Sequence, residues 1–168
     1  RPSPSGSLQV SRTHRESPGR NLATRGPRRR VSVLAPLSSA RTAAVDAVGR
    51  PDIAINTVGK VLKKPLMEIS EAEYDEMAAV NGKSAFFFLK EAGRHVNDHG
   101  KIVTLVTSLL GAFTPFYSSY AGTKAPVEHF TRAAAKEFGA RGISVTAVGP
   151  GPMDTPFFYG QEGAAAVA

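Results

Sequence analysis

Two kinds of hydrophobic pattern alternate along the later part of the chain. Short β-branched runs at 53–55, 102–106 and 143–148 are separated by longer stretches whose apolar positions step by three and four. The first kind is the composition of strands buried on both faces of a parallel sheet. The second is the apolar face of a helix. Ser70 with Glu73 forms a capping box, and Ile69 with Tyr74 is placed as its hydrophobic staple. A helix is therefore predicted from Ser70 through Met77 and Val80 to Asn81 and Gly82. Helical pattern resumes through Phe86, Leu89 and Val96 and stops at 97–100. A second long helix is predicted over about 117–138, with Val127, Phe130, Ala134 and Phe138 as its buried face and Gly139 and Gly142 beyond its end. Pro126 inside it removes one backbone hydrogen bond and predicts a mild kink. The order from 52 to 148 is strand, helix, strand, helix, strand. With right-handed crossovers that is an α/β architecture, a partial doubly wound parallel sheet with helices on its faces.

The first 37 residues read differently. Residues 1–30 are rich in Arg, Ser, Pro and Gly with few large apolar side chains, too few to offset the entropy of ordering. Residues 1–37 are thus expected to be a basic, irregular or disordered tail, with a short strand over 31–37. An Ala-rich helix over 38–48 is expected to open the folded domain, 38–168. Formal charge divides along the same line. Residues 1–41 hold nine Arg and one acid, giving +8, whereas 42–168 hold twelve Lys plus Arg and thirteen acids, giving −1, which together make +7. The tail fits a transit peptide, a contact to phosphates or acidic partners, or a solvated extension. The near-neutral remainder has no electrostatic reason to seek nucleic acid.

Cysteine is absent, which excludes a disulfide framework and thiolate chemistry and points to a reducing, cytoplasmic setting. No apolar run is long enough to span a membrane. His95, His99 and His129 lack metal-ligand spacing, so no metal site is expected. Chemistry is expected elsewhere. In parallel α/β sheets, ligands bind beyond the carboxyl ends of the strands, and here those ends lead into 56–59, 107–108 and 148–155. Tyr120 and Lys124, four residues apart on a helix, lie one turn from each other on one face. A cation beside a phenol favours the phenolate, so the pair is a candidate proton donor and acceptor for a carbonyl/alcohol couple.

Over about 51–160 these residues resemble the short-chain dehydrogenase/reductase family. Residues 56–59 (Asn-Thr-Val-Gly) are similar to the family's Asn-Asn-Ala-Gly turn, with two departures in the middle, and Asn81 matches its helix-borne Asn. Ser108 matches the catalytic Ser, Tyr120 and Lys124 the Tyr-x-x-x-Lys pair, and residues 150–155 the Pro-Gly-x-x-x-Thr segment. The resemblance implies a Rossmann-like fold and an NAD(P)-dependent oxidoreductase that interconverts a small-molecule ketone and a secondary alcohol. It implies Asn81, Ser108, Tyr120 and Lys124 as catalytic residues. Tyr120 would act as general acid or base, Ser108 would donate to the carbonyl oxygen, and Asn81 would place a water towards Lys124. Lys124 would hold the ribose and lower the Tyr120 pKa. Asn56, Gly59, Tyr120, Lys124, Pro150, Gly151, Met153 and Thr155 would bind NAD or NADP. Leu110, Phe113, Phe116 and Phe157 suggest an apolar substrate pocket. Phe86, Phe87 and Phe88 read as core or helix–helix interface, and the family's habits imply a homo-oligomer.

One family feature is lacking. Before Pro51 the glycines are Gly6, Gly19, Gly26 and Gly49, so no Gly-x-x-x-Gly-x-Gly phosphate loop is present. The chain begins with Arg and stops short of the final strand and helix such folds carry, so a processed chain or fragment is expected. A change of reading frame near residue 50 would explain the shift in composition. The alternative functions are then an inactive remnant that cannot hold the dinucleotide alone, or a basic-tail binding module.

Overall fold

The computed structural model describes the backbone of Leu8–Ser11 and Val31–Val33 and all of residues 49–160. The helix expected over 38–48 and most of the expected tail lie outside the described residues. Five strands, β1 (Leu8–Ser11), β2 (Val31–Val33), β3 (Ile53–Asn56), β4 (Lys101–Leu105) and β5 (Ser144–Val148), form one sheet in the order β2-β1-β3-β4-β5. β3, β4 and β5 are parallel, as the alternating pattern predicts. Two strands fall in the stretch expected to be irregular. β2 is the first part of the strand expected over 31–37, and β1 was not foreseen. β1 pairs antiparallel with β3, Leu8 opposite Asn56 and Ser11 opposite Ile53, so the β3 edge that the motif order leaves open has its backbone groups paired.

Helix α1 (Glu71–Met77) begins where the capping box places it. The Ser70 hydroxyl accepts from the Glu73 N–H at 3.3 Å, and the Glu73 carboxylate accepts from the Ser70 N–H at 2.8 Å. The Ser70 N–H, the Lys64 ammonium and the Ser70 hydroxyl all donate to the Glu73 carboxylate and hold its pKa down at about 2. Tyr74, expected in the staple, is instead 52% exposed. Between α1 and α2 (Ser84–His95) the backbone does not break at Asn81 and Gly82. It widens into a π-helical turn over Ala78–Lys83, a device common at functional sites, and continues.

α2 packs its Ala85, Phe88, Leu89 and Ala92 face with α3 (Ser118–Glu137) against one side of the sheet. That side carries Ala54, Ile102 and Val145, cross-strand neighbours in register and all buried. The core continues into Val96, Ala134 and Ile143, with Phe130 and Phe138 packed on it. Of the aromatic triplet, Phe88 enters the core, whereas Phe86 and Phe87 are 46% and 39% exposed. Gly93 is required by closeness: a Cβ there would overlap the Phe138 ring. α3 runs through Pro126 as one helix, and its buried positions Tyr120, Thr123, Lys124, Val127, Thr131 and Ala134 keep the predicted spacing. Beneath it the Thr104 and Thr131 hydroxyls meet at 2.8 Å, satisfying two buried polar groups mutually. Among the described residues no helix is long and apolar enough to cross a membrane.

Candidate active site

The carboxyl ends of β3, β4 and β5 open onto a cleft of about 470 Å³. Its floor is Leu105, Val106, Thr107 and Ser108, and the Tyr120 and Lys124 side chains enter from α3. Thr57, Gly59 and Val61 come from the loop after β3, and Pro150, Gly151, Pro152, Met153 and Thr155 from the segment after β5. Phe157 and Phe158, on the short helix α4 (Pro156–Tyr159), close one side with Leu109 and Tyr117. Lys124 is the only charged side chain among these lining residues.

Lys124 is 4% exposed, and its ammonium donates to the carbonyls of Leu105 at 3.0 Å and Val58 at 3.3 Å. Burial lowers its pKa to about 8. Gly59 lies against it: a Cβ on Gly59 would stand 3.0 Å from Lys124 Nζ and 3.5 Å from Asn81 Oδ1. A side chain at position 59 would therefore crowd the lysine head.

Tyr120 is 7% exposed, and burial pushes its phenol above the ordinary value, opposed by a hydrogen bond from the Thr107 side chain. This direction overturns the expected lowering by Lys124, whose ammonium is engaged by two backbone carbonyls instead. Thr107 was not singled out in the sequence. It is buried at the end of β4, and its hydroxyl also accepts from the Leu109 N–H at 3.3 Å. The signal for it was its place, one residue before Ser108 at a strand's carboxyl end. Ser108 itself lines the cleft but is exposed, its N–H donating to Pro150 O at 3.0 Å. Its hydroxyl would lie 3.8 Å from a Cβ on Gly151.

Several expected site residues stand elsewhere. Asn81 is fully buried and does not line the cleft. Its amide accepts from the Lys60 N–H at 2.9 Å, donates to Lys60 O at 2.9 Å and donates to the Thr123 hydroxyl at 3.1 Å. Asn81 therefore clamps the loop after β3 onto α3, from the widened turn that lets its side chain point inward. Asn56, also buried and outside the cleft, folds its side chain back to accept from the Val58 N–H at 3.0 Å, forming the turn. Leu110, Phe113 and Phe116 do not line the cleft, contrary to the expected pocket. Phe113 is wholly exposed, and Phe116 is about half exposed with a left-handed backbone (φ 72°). Leu109, Tyr117 and Phe158 supply the apolar wall with Phe157. Ser108 and Leu109 line the cleft from the 108–110 turn while Leu110 does not, a choice that periodicity in a loop does not reveal. No three His, Asp or Glu side chains converge on a candidate metal site among the described residues.

A parallel sheet with a buried tyrosine and lysine one helical turn apart over its carboxyl edge defines a Rossmann-like oxidoreductase class. The family described as enoyl-(acyl carrier protein) reductase matches residues 31–168. A short chain dehydrogenase of Emericella nidulans, mdpC, is 38% identical over 117 residues, 69% of this chain and 44% of that protein. The hydroxynaphthalene reductase-like protein Arp2 of Metarhizium brunneum is 37% identical over 112 residues, 66% of this chain and 42% of its own length. Among solved structures, a dehydrogenase of Burkholderia cenocepacia with bound NADP is 78% identical with a TM-score of 0.74, covering 77% of this chain and 49% of that one. A dehydrogenase/reductase of Sinorhizobium meliloti is 34% identical with a TM-score of 0.71, over 77% and 51% of the two chains. The chain belongs to the short-chain dehydrogenase/reductase family. It spans about half the length of the relatives it matches.

Proposed function

We propose that this segment is the catalytic half of an NAD(P)-dependent oxidoreductase that reduces a ketone to a secondary alcohol and can run in reverse. The observation that carries this is the burial of Tyr120 and Lys124 in the wall of one cleft, between Gly59 and the 150–155 segment. The cleft suits the nicotinamide end of a dinucleotide. It has the size of a small-molecule site, is lined by glycines and prolines on one side and by aromatic and aliphatic side chains on the other, and offers one cation. Lys124, Tyr120, Gly59, Pro150, Gly151, Met153 and Thr155 would hold that end, and the bound cofactor supplies the hydride. The NADP carried by the Burkholderia cenocepacia neighbour favours the phosphorylated form.

Tyr120 holds the proton that the developing alkoxide takes. Because burial raises its pKa, the phenol is protonated at neutral pH, the state needed for reduction. Lys124 stays charged below about pH 8 and offers its remaining donor capacity to the cleft. Ser108 stands at the Gly151 side of the floor, where a hydroxyl can donate to a carbonyl oxygen. Asn81 acts by holding the loop that carries Gly59. The aromatic and aliphatic wall of Val61, Leu109, Tyr117, Phe157 and Phe158 fits a ketone with an apolar body. A second copy of the chain would pack on the long helices, where Phe86 and Phe87 are exposed.

A second reading rests on the lack of Gly-x-x-x-Gly-x-Gly in residues 1–50. In it these residues cannot hold the dinucleotide pyrophosphate alone. A protein with both halves tests the first reading: the cofactor-binding half of the Burkholderia cenocepacia neighbour joined ahead of Pro51. NADPH-dependent ketone reduction by this chimera should be abolished by Tyr120→Phe with cofactor binding largely kept. Undiminished turnover in the variant removes Tyr120 from its role.

A further inference from the structure

Two polar contacts of different kinds join α3 to β4. The Lys124 ammonium donates to Leu105 O at 3.0 Å. Further along the helix the Thr131 hydroxyl lies 2.8 Å from that of Thr104, the residue just before Leu105. Lys124 and Thr131 are close to two helical turns apart, so they stand on one face with about 10 Å between them along the axis. Both threonines are buried. We propose that the Thr104–Thr131 pair positions the Lys124 ammonium, by setting how closely α3 approaches β4. The inference rests on the reading of Lys124 as a working group of the cleft.

The hydroxyl protons give the contact a direction. Each threonine has one proton to donate. That of Thr131 goes to Val127 O at 2.7 Å, so Thr104 supplies the proton of the shared contact. The other acceptor near Thr104, Thr146 O on β5, lies at 3.5 Å, the limit of a hydrogen bond. The relay therefore runs from β4 through Thr131 to Val127, the residue after Pro126. An outside hold matters most there, because Pro126 has no N–H and the helix lacks one backbone bond at that point. On the near side of the proline, Asn81 donates to the Thr123 hydroxyl at 3.1 Å, and that hydroxyl donates to Ser119 O at 2.7 Å. Tyr120 and Lys124 lie between the two anchored positions, Ser119 and Val127. What the hydroxyls confer on α3 and β4 is closeness. Two oxygens sharing a proton approach to 2.8 Å, whereas two methyl groups rest about 3.5–4.0 Å apart. With apolar side chains of the same shape, α3 would stand off β4 by about 1 Å. The same displacement at Lys124 would carry its 3.0 Å bond to Leu105 O beyond hydrogen-bond reach.

The test uses the full 168-residue chain with lysine labelled at Cε, the Lys124 resonance being assigned by its loss in Lys124→Met. Thr104→Val combined with Thr131→Val removes both hydroxyls and strands neither of them, so the double variant should fold. Its Lys124 resonance should be displaced. The titration midpoint should rise from about 8 towards the ordinary lysine value by about half a pH unit or more, as the ammonium slips from the carbonyl into the open cleft. Thr104→Ser combined with Thr131→Ser keeps both hydroxyls and removes the methyl groups, and should hold resonance and midpoint at their wild-type values. That rescue separates positioning from packing. A resonance and midpoint unmoved by the valine pair overturn the proposal, and so does a serine pair that moves them as far. Should the valine pair not fold, Thr104→Val alone makes the same comparison, because Thr131 keeps Val127 O as its acceptor. No turnover enters this measurement, so it can fail while Tyr120→Phe still abolishes reduction in the chimera. It can also succeed where that reading fails.

Discussion

Replacing Lys124 by Met offers the sharpest test of how the site is built. Burial lowers the lysine from 10.5 in the open chain to about 8 in the fold, a drop of about 2.5. At about 1.4 kcal/mol for each pH unit, the charged form costs the folded state about 3 kcal/mol relative to the unfolded chain. The sign follows from proton binding. Between about pH 8 and pH 10.5 the unfolded chain still holds a proton that the folded chain has released, so stability rises with pH across that window. Below about pH 8 both states hold the proton, so the dependence levels off with the full cost of the buried ammonium present. Integrated from about pH 7 to about pH 9.5, Lys124 should contribute a gain of about 2 kcal/mol. Methionine removes the charge but also strands the Leu105 and Val58 carbonyls, a loss of about 1–3 kcal/mol that is independent of pH. Absolute stability therefore decides little, and the difference in slope decides everything. Urea unfolding of both proteins across this range should give curves that converge by about 2 kcal/mol or cross, as wild type alone gains with pH. Parallel curves would refute the claim that Lys124 is held in its charged, desolvated form.

Two other outcomes are expected. Asn81→Ala leaves the Lys60 N–H and carbonyl and the Thr123 hydroxyl without their partner, and should destabilise the chain by about 2–4 kcal/mol in urea unfolding; a loss below about 1 kcal/mol would show that the clamp is not structural. Titration of NADPH fluorescence with the 168-residue chain should show weak or no binding, since no glycine-rich phosphate loop occurs in the sequence, and micromolar affinity would contradict this.

Much of the fold was legible because its signals are local. Ser70 and Glu73 mark the start of α1 through hydrogen bonds that span three residues. The β-branched runs at 102–106 and 143–148 announce β4 and β5 by composition, although the structure covers one face rather than the two expected: Ile102, Thr104 and Val145 are buried, and the rest of β5 is exposed. The continuity of α1 and α2 was not legible. Asn81 and Gly82 read as a stop, but the partners that carry the backbone through, Lys60 and Thr123, lie 21 and 42 residues away. The antiparallel β1 on the β3 edge is equally non-local and has no signature in an Arg- and Ser-rich stretch.

The identity of the site divides in the same way. Sequence by itself determined that a tyrosine and a lysine share one helical face and that glycine, proline and hydroxyl residues follow the strand ends, because helix and strand periods are set by the backbone. Only the tertiary structure decided what those groups do to one another. It turned the Lys124 ammonium onto two strand-end carbonyls, raised the Tyr120 phenol by burying it, gave the phenol Thr107 as a neighbour, and drew Asn81 out of the cleft into a clamp. Burial and direction are properties of packing between distant segments. Spacing along a chain can place two residues on one face, but it does not say which way either of them points.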